Sequence, residues 1–153
     1  MHIERKSIPA ATVIEAVATL TIPEVPAFAE KIIPMLLTEI ENRGMAVTGP
    51  CVFTYEGCDG SLDTAFSLRV ALPVDTCRGQ GAFECVKILA HECLSTEYRG
   101  PMKGIGPAWS AFTPLAMQQG LALQPVGREV YTNWVDMDSQ ENLTELQIPI
   151  ANL

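Results

Sequence analysis

The sequence has no long hydrophobic run and few basic residues, and each scarcity excludes a class of protein. No segment reaches the roughly 18 uninterrupted apolar residues that a membrane-spanning helix needs. Ten Lys and Arg against eighteen Asp and Glu give a net charge of −8. Because contacts with phosphate depend on basic side chains, this balance opposes binding to nucleic acids and anionic membranes. We therefore expect neither as a direct partner, and we expect neutral or cationic ligands.

Histidine is scarce, and the cysteines lack a recognisable motif. The five cysteines form no C-x-x-C pair, and the start MHIERKSIP lacks the apolar run of a signal peptide, so we expect a cytoplasmic protein. Cys85, His91 and Cys93 share one parity, but no fourth ligand follows at metal spacing. The acidic residues of WVDMDSQEN lack the glycine of a calcium loop. The sequence thus predicts no metal site and no cofactor.

What the chain does contain is an internal repeat at an offset of 76 residues, about half of its 153. Gly44 corresponds to Gly120, and Tyr55 corresponds to Tyr131. The segments RVALPV and ELQIPI, each of which ends a half, also correspond. This pattern predicts one domain over 1–153 built from two copies, about 1–76 and 77–153, with CRGQG (77–81) as the linker. A cleft between the copies is the expected ligand site.

Turn signals and hydrophobic periodicity predict a β-α-β-β order in each half. The predicted strands cover 12–21, 49–56, 62–74, 83–99, 125–132 and 142–150. The predicted helices cover 28–44 and 103–119, the second broken by Pro107 and Pro114. The fold class is therefore α+β, with pseudo-two-fold symmetry, a mixed or antiparallel sheet of up to eight strands and both helices on one face.

Three short motifs occur in order along the second half: Arg99-Gly100-Pro101, the strand REVY (128–131) and the strand TELQIPI (144–150). With them the chain resembles the GyrI-like superfamily, also known as the AraC-type or MerR-type effector-binding domain, over nearly its whole length. The resemblance implies a small-molecule cleft between two β-α-β-β units. It also implies a link to transcription regulation and multidrug recognition. An aromatic residue commonly follows Gly-Pro in that family, whereas this chain has Met102.

Glu145 is the predicted ligand-binding acid. Alternation places Leu146 and Ile148 on one face of its strand and Glu145 on the other, and a carboxylate in mid-strand is costly unless it is exposed or paired. The family resemblance implies that the matching glutamate faces the cleft and engages cationic ligands. The alternatives are a solvated carboxylate or a salt bridge to Arg69, its partner in the repeat.

Aromatic residues are the predicted complement of this acid. Tyr55 and Tyr131 occupy equivalent strand positions, Trp109 lies in the second helix, and Trp134 follows Tyr131 in a loop. Together with Met102 they are the expected lining of a box that attracts organic cations through ring quadrupoles. The alternative is ordinary core packing, above all for Trp109, which lies on an apolar stripe.

The resulting prediction is a standalone protein that binds hydrophobic or aromatic organic cations without catalysis. We expect no helix-turn-helix segment before the first strand, so any role at DNA would need a partner. The first alternative is a hydrolase of strained electrophilic compounds, with Glu145 as general base and Tyr131 as hydrogen-bond donor. The second is a protein-binding factor like the gyrase inhibitors of the superfamily.

Overall fold

The structure, a computed structural model, describes residues 1–151, which form eight strands and two helices. The strands are β1 (Glu4–Ile8), β2 (Ala11–Leu20), β3 (Val52–Glu56), β4 (Phe66–Pro73), β5 (Glu84–Ile88), β6 (His91–Arg99), β7 (Val126–Asn133) and β8 (Leu143–Pro149). The helices are α1 (Val25–Asn42) and α2 (Ile105–Met117). Neither helix of this described part is long and apolar enough to cross a membrane.

All eight strands form one antiparallel sheet in the order β1-β6-β8-β7-β3-β4-β2-β5. Pro9 and Ala10 connect β1 to β2, and Leu89 and Ala90 connect β5 to β6. β1 and β5 are the two edges of the sheet, yet each is joined by only two residues to a strand beside the other edge. These short connections bring the two edges together, so the sheet curls.

The α+β class and the antiparallel pairing are confirmed, whereas a mixed sheet is wrong. The predicted strand over 83–99 is two strands, because the chain turns at Leu89 and Ala90, where Leu89 is exposed. β1 was not predicted, because its sequence ERKSI is polar and lacks an alternating apolar face. Each half is therefore β-β-α-β-β. A duplicated unit with two-fold symmetry stays a prediction.

The helices follow their sequence signals closely. α1 begins three residues earlier than predicted, with Pro26 in its first turn, and its buried Ile32, Leu36 and Ile40 recur every four residues. It ends before Gly44, whose φ of +68° favours glycine. Pro107 does not interrupt α2, because it lies in the first turn, where its missing N–H has no helical partner to lose. Pro114 lies inside α2, which continues to Met117, so the predicted break there is also wrong.

Strand register shows which residues share a face of the sheet. Phe53 pairs with Glu129, and Glu129 pairs with Leu146, so these three residues lie on one face. Phe53 belongs to the same buried cluster as Leu36 of α1, and Leu146 to the same cluster as Phe112 of α2. Both helices therefore cover this face, which we call the helix face. Residues of alternate parity, among them Arg69, Arg128 and Glu145, lie on the opposite face.

Candidate functional site

The centre of the candidate site is Glu129, a carboxylate on the helix face that is only 3% exposed. Its Oε1 accepts hydrogen bonds from the hydroxyls of Tyr55, at 2.9 Å, and Tyr131, at 2.5 Å. Its Oε2 accepts a hydrogen bond of 2.7 Å from the indole Nε1 of Trp109. We call these four residues the Glu129 box.

Three elements assemble the Glu129 box. Tyr131 follows Glu129 by two residues on β7, so alternation places both side chains on the helix face. Tyr55 lies on β3, where it pairs with Gly127 of β7. Trp109 reaches the sheet from α2 because Gly127 has no side chain, since a Cβ there would lie 3.1 Å from the Trp109 ring. Gly127 therefore makes room for the indole.

Further aromatic contacts hold the box in place. Tyr131 packs edge-on against Phe53 at a centroid distance of 4.8 Å. Tyr55 packs against Phe66, and Trp109 packs against Phe112, at 5.5 and 5.8 Å. Such pairs contribute about 0.5 to 1.5 kcal/mol each beyond the area that they bury. The rings of the box are thus anchored by residues of β3, β4 and α2.

The charge of Glu129 has no cationic partner among the described residues. Burial raises the pKa of its carboxyl above the ordinary value, although the hydrogen bonds from Tyr131, Trp109 and Tyr55 oppose that shift. Burial and the nearby carboxylate also raise the pKa values of the Tyr55 and Tyr131 hydroxyls well above their usual range. Both phenols therefore remain neutral donors, and the box carries an uncompensated negative charge whenever Glu129 is ionised.

Glu145, the predicted acid, lies on the opposite face and does not meet the aromatic residues. Its Oε1 accepts hydrogen bonds from Lys6 Nζ and from Ser95 Oγ, the latter at 2.9 Å, and its Oε2 accepts one from Gln147 Nε2 at 2.9 Å. Burial acts to raise the pKa of Glu145, but these hydrogen bonds outweigh it and hold the pKa below the ordinary value. A positive charge from Lys6 thus already compensates this carboxylate.

The alternative salt bridge between Glu145 and Arg69 is wrong. Arg69 donates instead to Glu15 Oε1 at 2.8 Å. Register explains the difference, because β4 pairs with β2, which carries Glu15, while β8 lies between β6 and β7.

Trp134 and Met102 lie in the loops beyond the box. The Trp134 ring lies 6.0 Å from the Tyr131 ring, nearly perpendicular to it, and is 47% exposed. Met102 is partly exposed at the start of a 3-10 turn before α2, and its backbone N–H donates to the Met137 carbonyl at 2.9 Å. The structure therefore brings Tyr55, Tyr131 and Trp109 together, with Trp134 at their margin.

A disulfide joins Cys77, at the start of the predicted linker, to Cys85 of β5. Backbone N–H groups of Ala82 and Phe83 also donate to Glu39 of α1, at 2.7 and 3.0 Å. Disulfides are typical of oxidising compartments, so this pairing does not support the expected cytoplasmic location. Cys85 is bonded to Cys77, and the His91 ring lies 2.8 Å from Arg128.

Two surface cavities lie away from the box. One of about 550 Å³ lies between α1 and residues 80–83. The other, of about 330 Å³, lies beside Lys6 and Ser95 near the start of β1. Neither cavity is lined by a residue of the Glu129 box. In the residues that the structure describes, no group of three or more His, Cys, Asp or Glu could hold a metal ion.

Sequence reasoning missed Glu129, although the signal was present. Glu129 shares its parity with Tyr131 inside the quoted REVY motif, so a box that included Tyr131 had to include Glu129 as well. The prediction instead followed Glu145, whose strand is apolar on its other face. Alternation within one strand does not say which face meets the helices.

The fold is shared with proteins of known structure. The C-terminal domain of EcmrR matches with a TM-score of 0.82 and 20% identity over 99% of this chain and 98% of that one. In the cryo-EM structure of the EcmrR–DNA complex the TM-score is 0.84 at 19% identity, over 99% of this chain but only 58% of the EcmrR chain. SAV2435 bound to tetraphenylphosphonium matches with a TM-score of 0.71 and 12% identity over 99% of this chain and 94% of that one.

A more distant match is a hydrolase encoded by lin2189 from Listeria innocua, with a TM-score of 0.61 and 14% identity over 97% of this chain and 91% of that one. No family model and no curated protein matches the sequence. At these identities the comparisons establish the shared fold alone, and membership of the GyrI-like superfamily stays a prediction.

Proposed function

We propose that this chain binds hydrophobic organic cations at the Glu129 box. The observation that carries the proposal is a buried carboxylate that receives three neutral donors and no cation among the described residues. Leaving a buried charge uncompensated costs folding free energy. A ligand that brings a positive charge without needing many water molecules around it removes that cost.

The surroundings of Glu129 favour a cation of a particular kind. The three aromatic side chains supply apolar area and ring faces, which attract cations by about 0.5 to 2 kcal/mol per contact. A small, strongly hydrated ion would lose its hydration shell on binding and would gain few coordinating atoms in the box. A lipophilic cation with aromatic groups sheds little hydration and gains ring contacts, so it is the class that the box fits.

Access to the carboxylate requires movement. Glu129 is almost fully buried, whereas Tyr55, Tyr131 and Trp109 are each partly exposed. A ligand therefore reaches the carboxylate only when one of the rings turns aside, and the free energy of that opening lowers the observed affinity. Trp109 is the expected mobile ring, because it comes from a helix whereas the two tyrosines lie on paired strands.

The fold comparisons support this proposal. SAV2435, a structure with tetraphenylphosphonium bound, shares the architecture, and the EcmrR domain belongs to a protein solved in complex with DNA. The box also joins the two predicted repeats, since Tyr55 on β3 and Tyr131 on β7 occupy equivalent positions across the central strand pair. We infer that the ligand cleft lies between the two halves, and that any transcriptional role depends on a separate DNA-binding part.

Two isosteric ions of opposite charge test the proposal. We would measure the dissociation constants of tetraphenylphosphonium and tetraphenylborate for the wild type, Glu129→Gln and Glu145→Gln. The wild type should bind the cation and not the anion. Glu129→Gln should lose about 10- to 100-fold in cation affinity, the usual effect of one buried charge-assisted contact. Glu145→Gln should change it less than about threefold. Equal binding of both ions, or a loss confined to Glu145→Gln, would refute the proposal.

A hydrolase is the second candidate function, and one observation favours it. General-base catalysis needs a carboxyl with a raised pKa beside a donor that orients the substrate, and Glu129 and Tyr131 meet that description at 2.5 Å. The catalytic role first expected of Glu145 would then belong to Glu129. Hydrolysis of an epoxide library that is lost in both Glu129→Gln and Tyr131→Phe would establish it. The gyrase-inhibitor alternative stays a prediction.

A further inference from the structure

The segment after β7, residues 134–142, exposes large apolar side chains beside the Glu129 box. Trp134, Val135 and Met137 are 47%, 57% and 48% exposed. Three such residues within four positions form an exposed apolar cluster, and apolar surface of this kind commonly marks a binding site. The Trp134 ring contacts Tyr131, which itself bonds to Glu129. We call residues 134–142 the rim loop.

Asn142 holds the rim loop in shape. Its side chain is fully buried. The amide Oδ1 accepts a hydrogen bond of 2.8 Å from the backbone N–H of Val135, and Nδ2 donates one of 2.6 Å to the carbonyl of Asp136. The Asn142 amide thus holds the N–H of Val135 and the carbonyl of Asp136, the two residues that follow Trp134. An aliphatic residue at 142 would leave that donor and that acceptor unpaired.

The rim loop is also fastened to the chain segment that begins α2. The carbonyl of Asn142 accepts a hydrogen bond of 3.0 Å from Gly100 N–H, and the carbonyl of Met137 accepts one from Met102 N–H. Gly100 has a φ of +143°, a conformation that favours glycine. The turn between β6 and α2 and the rim loop therefore form one unit, which connects Trp134 to the helix that carries Trp109.

We propose that Asn142 is a positioning residue that holds Trp134 against the entrance of the Glu129 box and thereby sets the preference for aromatic over aliphatic cations. This inference rests on the proposed function. Asn142 itself does not contact the ligand in this proposal. Its role is to keep the indole of Trp134 in one place, because an aromatic side chain that is already fixed loses little conformational freedom when a ring of the ligand packs on it.

A double-mutant cycle tests this role. We would measure the dissociation constants of tetraphenylphosphonium and tetraethylammonium for the wild type, Asn142→Ala, Trp134→Leu and the double variant. Asn142→Ala should weaken tetraphenylphosphonium about fivefold, the size of one aromatic contact. In the Trp134→Leu background the same change should have less than a twofold effect. Affinity for tetraethylammonium should not change. Equal effects in both backgrounds would overturn the inference.

Asn133→Ala is the matched control, because it removes an exposed amide that bonds the same loop at Glu141 without touching Val135 or Asp136. It should leave both affinities unchanged. Should Asn142→Ala fail to fold, Asn142→Ser serves in its place, since its shorter, neutral side chain does not reproduce both hydrogen bonds of the amide. If the Ser variant bound tetraphenylphosphonium as tightly as the wild type, the inference would also fall.

A measurement without ligand separates this inference from the proposed function. The chain has two tryptophans, so Trp134 is the only one left in a Trp109→Phe background. Asn142→Ala should raise the acrylamide quenching of Trp134 and lower its fluorescence anisotropy. If the wild type bound no cation but Asn142→Ala still raised the quenching and lowered the anisotropy, the proposed function would fail. The role of Asn142 in fixing the loop would stand. Unchanged quenching and anisotropy would overturn the positioning role itself.

Discussion

Two buried carboxylates, one on each face of the sheet, are treated differently by the rest of the chain. Glu145 bonds to Lys6, so its charge is compensated within the protein. Glu129 bonds to two phenols and an indole, which donate hydrogen bonds but bring no charge. Hydrogen bonding alone therefore does not distinguish these two acids. The distinguishing property is whether the protein supplies the opposite charge.

The first prediction concerns pH, and its effect is the largest. Burial raises the pKa of Glu129, and only the ionised carboxylate attracts a cation. As pH falls through that raised pKa, affinity for tetraphenylphosphonium should drop by up to about tenfold per pH unit. Titrations between pH 4.5 and 8 would measure the slope. Glu129→Gln should abolish the slope and Glu145→Gln should retain it. A flat wild-type profile would contradict our view of Glu129.

The second prediction is that the two acids affect stability with opposite dependence on pH. The pKa of Glu145 is lowered, so its contribution is present above the unfolded value near 4.5 and is lost as pH falls through the folded pKa. The pKa of Glu129 is raised, so ionising it costs stability as pH rises from about 4.5 through the folded pKa. The effect of Glu145 should be reduced by the partial exposure of its partner Lys6.

Urea unfolding at pH 3 to 7 of the wild type and the two glutamine variants would measure these effects. As pH rises, the free energy of unfolding of the wild type should increase relative to that of Glu145→Gln and decrease relative to that of Glu129→Gln. Parallel curves for the two variants would show that the two carboxylates do not differ in charge compensation.

The strands that carry these two acids show which features of the site could be predicted from the sequence. Alternation correctly separated Glu145 from Leu146, and it would have grouped Glu129 with Tyr131. Sequence did not give the register that sets β7 between β8 and β3, because pairing between distant strands depends on the whole sheet. Lys6 could not be predicted as the partner of Glu145, because it lies on β1, a short polar strand with no periodic signal.

The cysteines and the rim loop show a second limit. The bond between Cys77 and Cys85 depends on how residues 77–85 fold back against α1, which no spacing rule specifies. Sequence reasoning gave Asn142 no role beyond the start of a predicted strand. Its role depends on backbone groups that meet it in space, and a single sequence does not show those contacts.

The third prediction is the smallest in effect and concerns the donor from the helix. Trp109→Phe keeps an aromatic ring over Gly127 but removes the hydrogen bond to Glu129 Oε2. Losing one donor should raise the pKa of Glu129 further, so the pH midpoint for cation binding should move upward, and affinity at pH 7 should fall about threefold. Titrations of this variant alongside the wild type would measure both. A midpoint shift in the opposite direction would contradict the role of the indole.

The most direct test of the central claim is a crystal structure of the protein with tetraphenylphosphonium. The phosphonium should lie on the helix face beside the Glu129 carboxylate, with its phosphorus within about 6 Å of at least one ring centroid of the box and with a ring displaced from its present position. A ligand on the opposite face beside Glu145, or one that makes no approach to Glu129, would contradict the claim that the uncompensated carboxylate is the binding site.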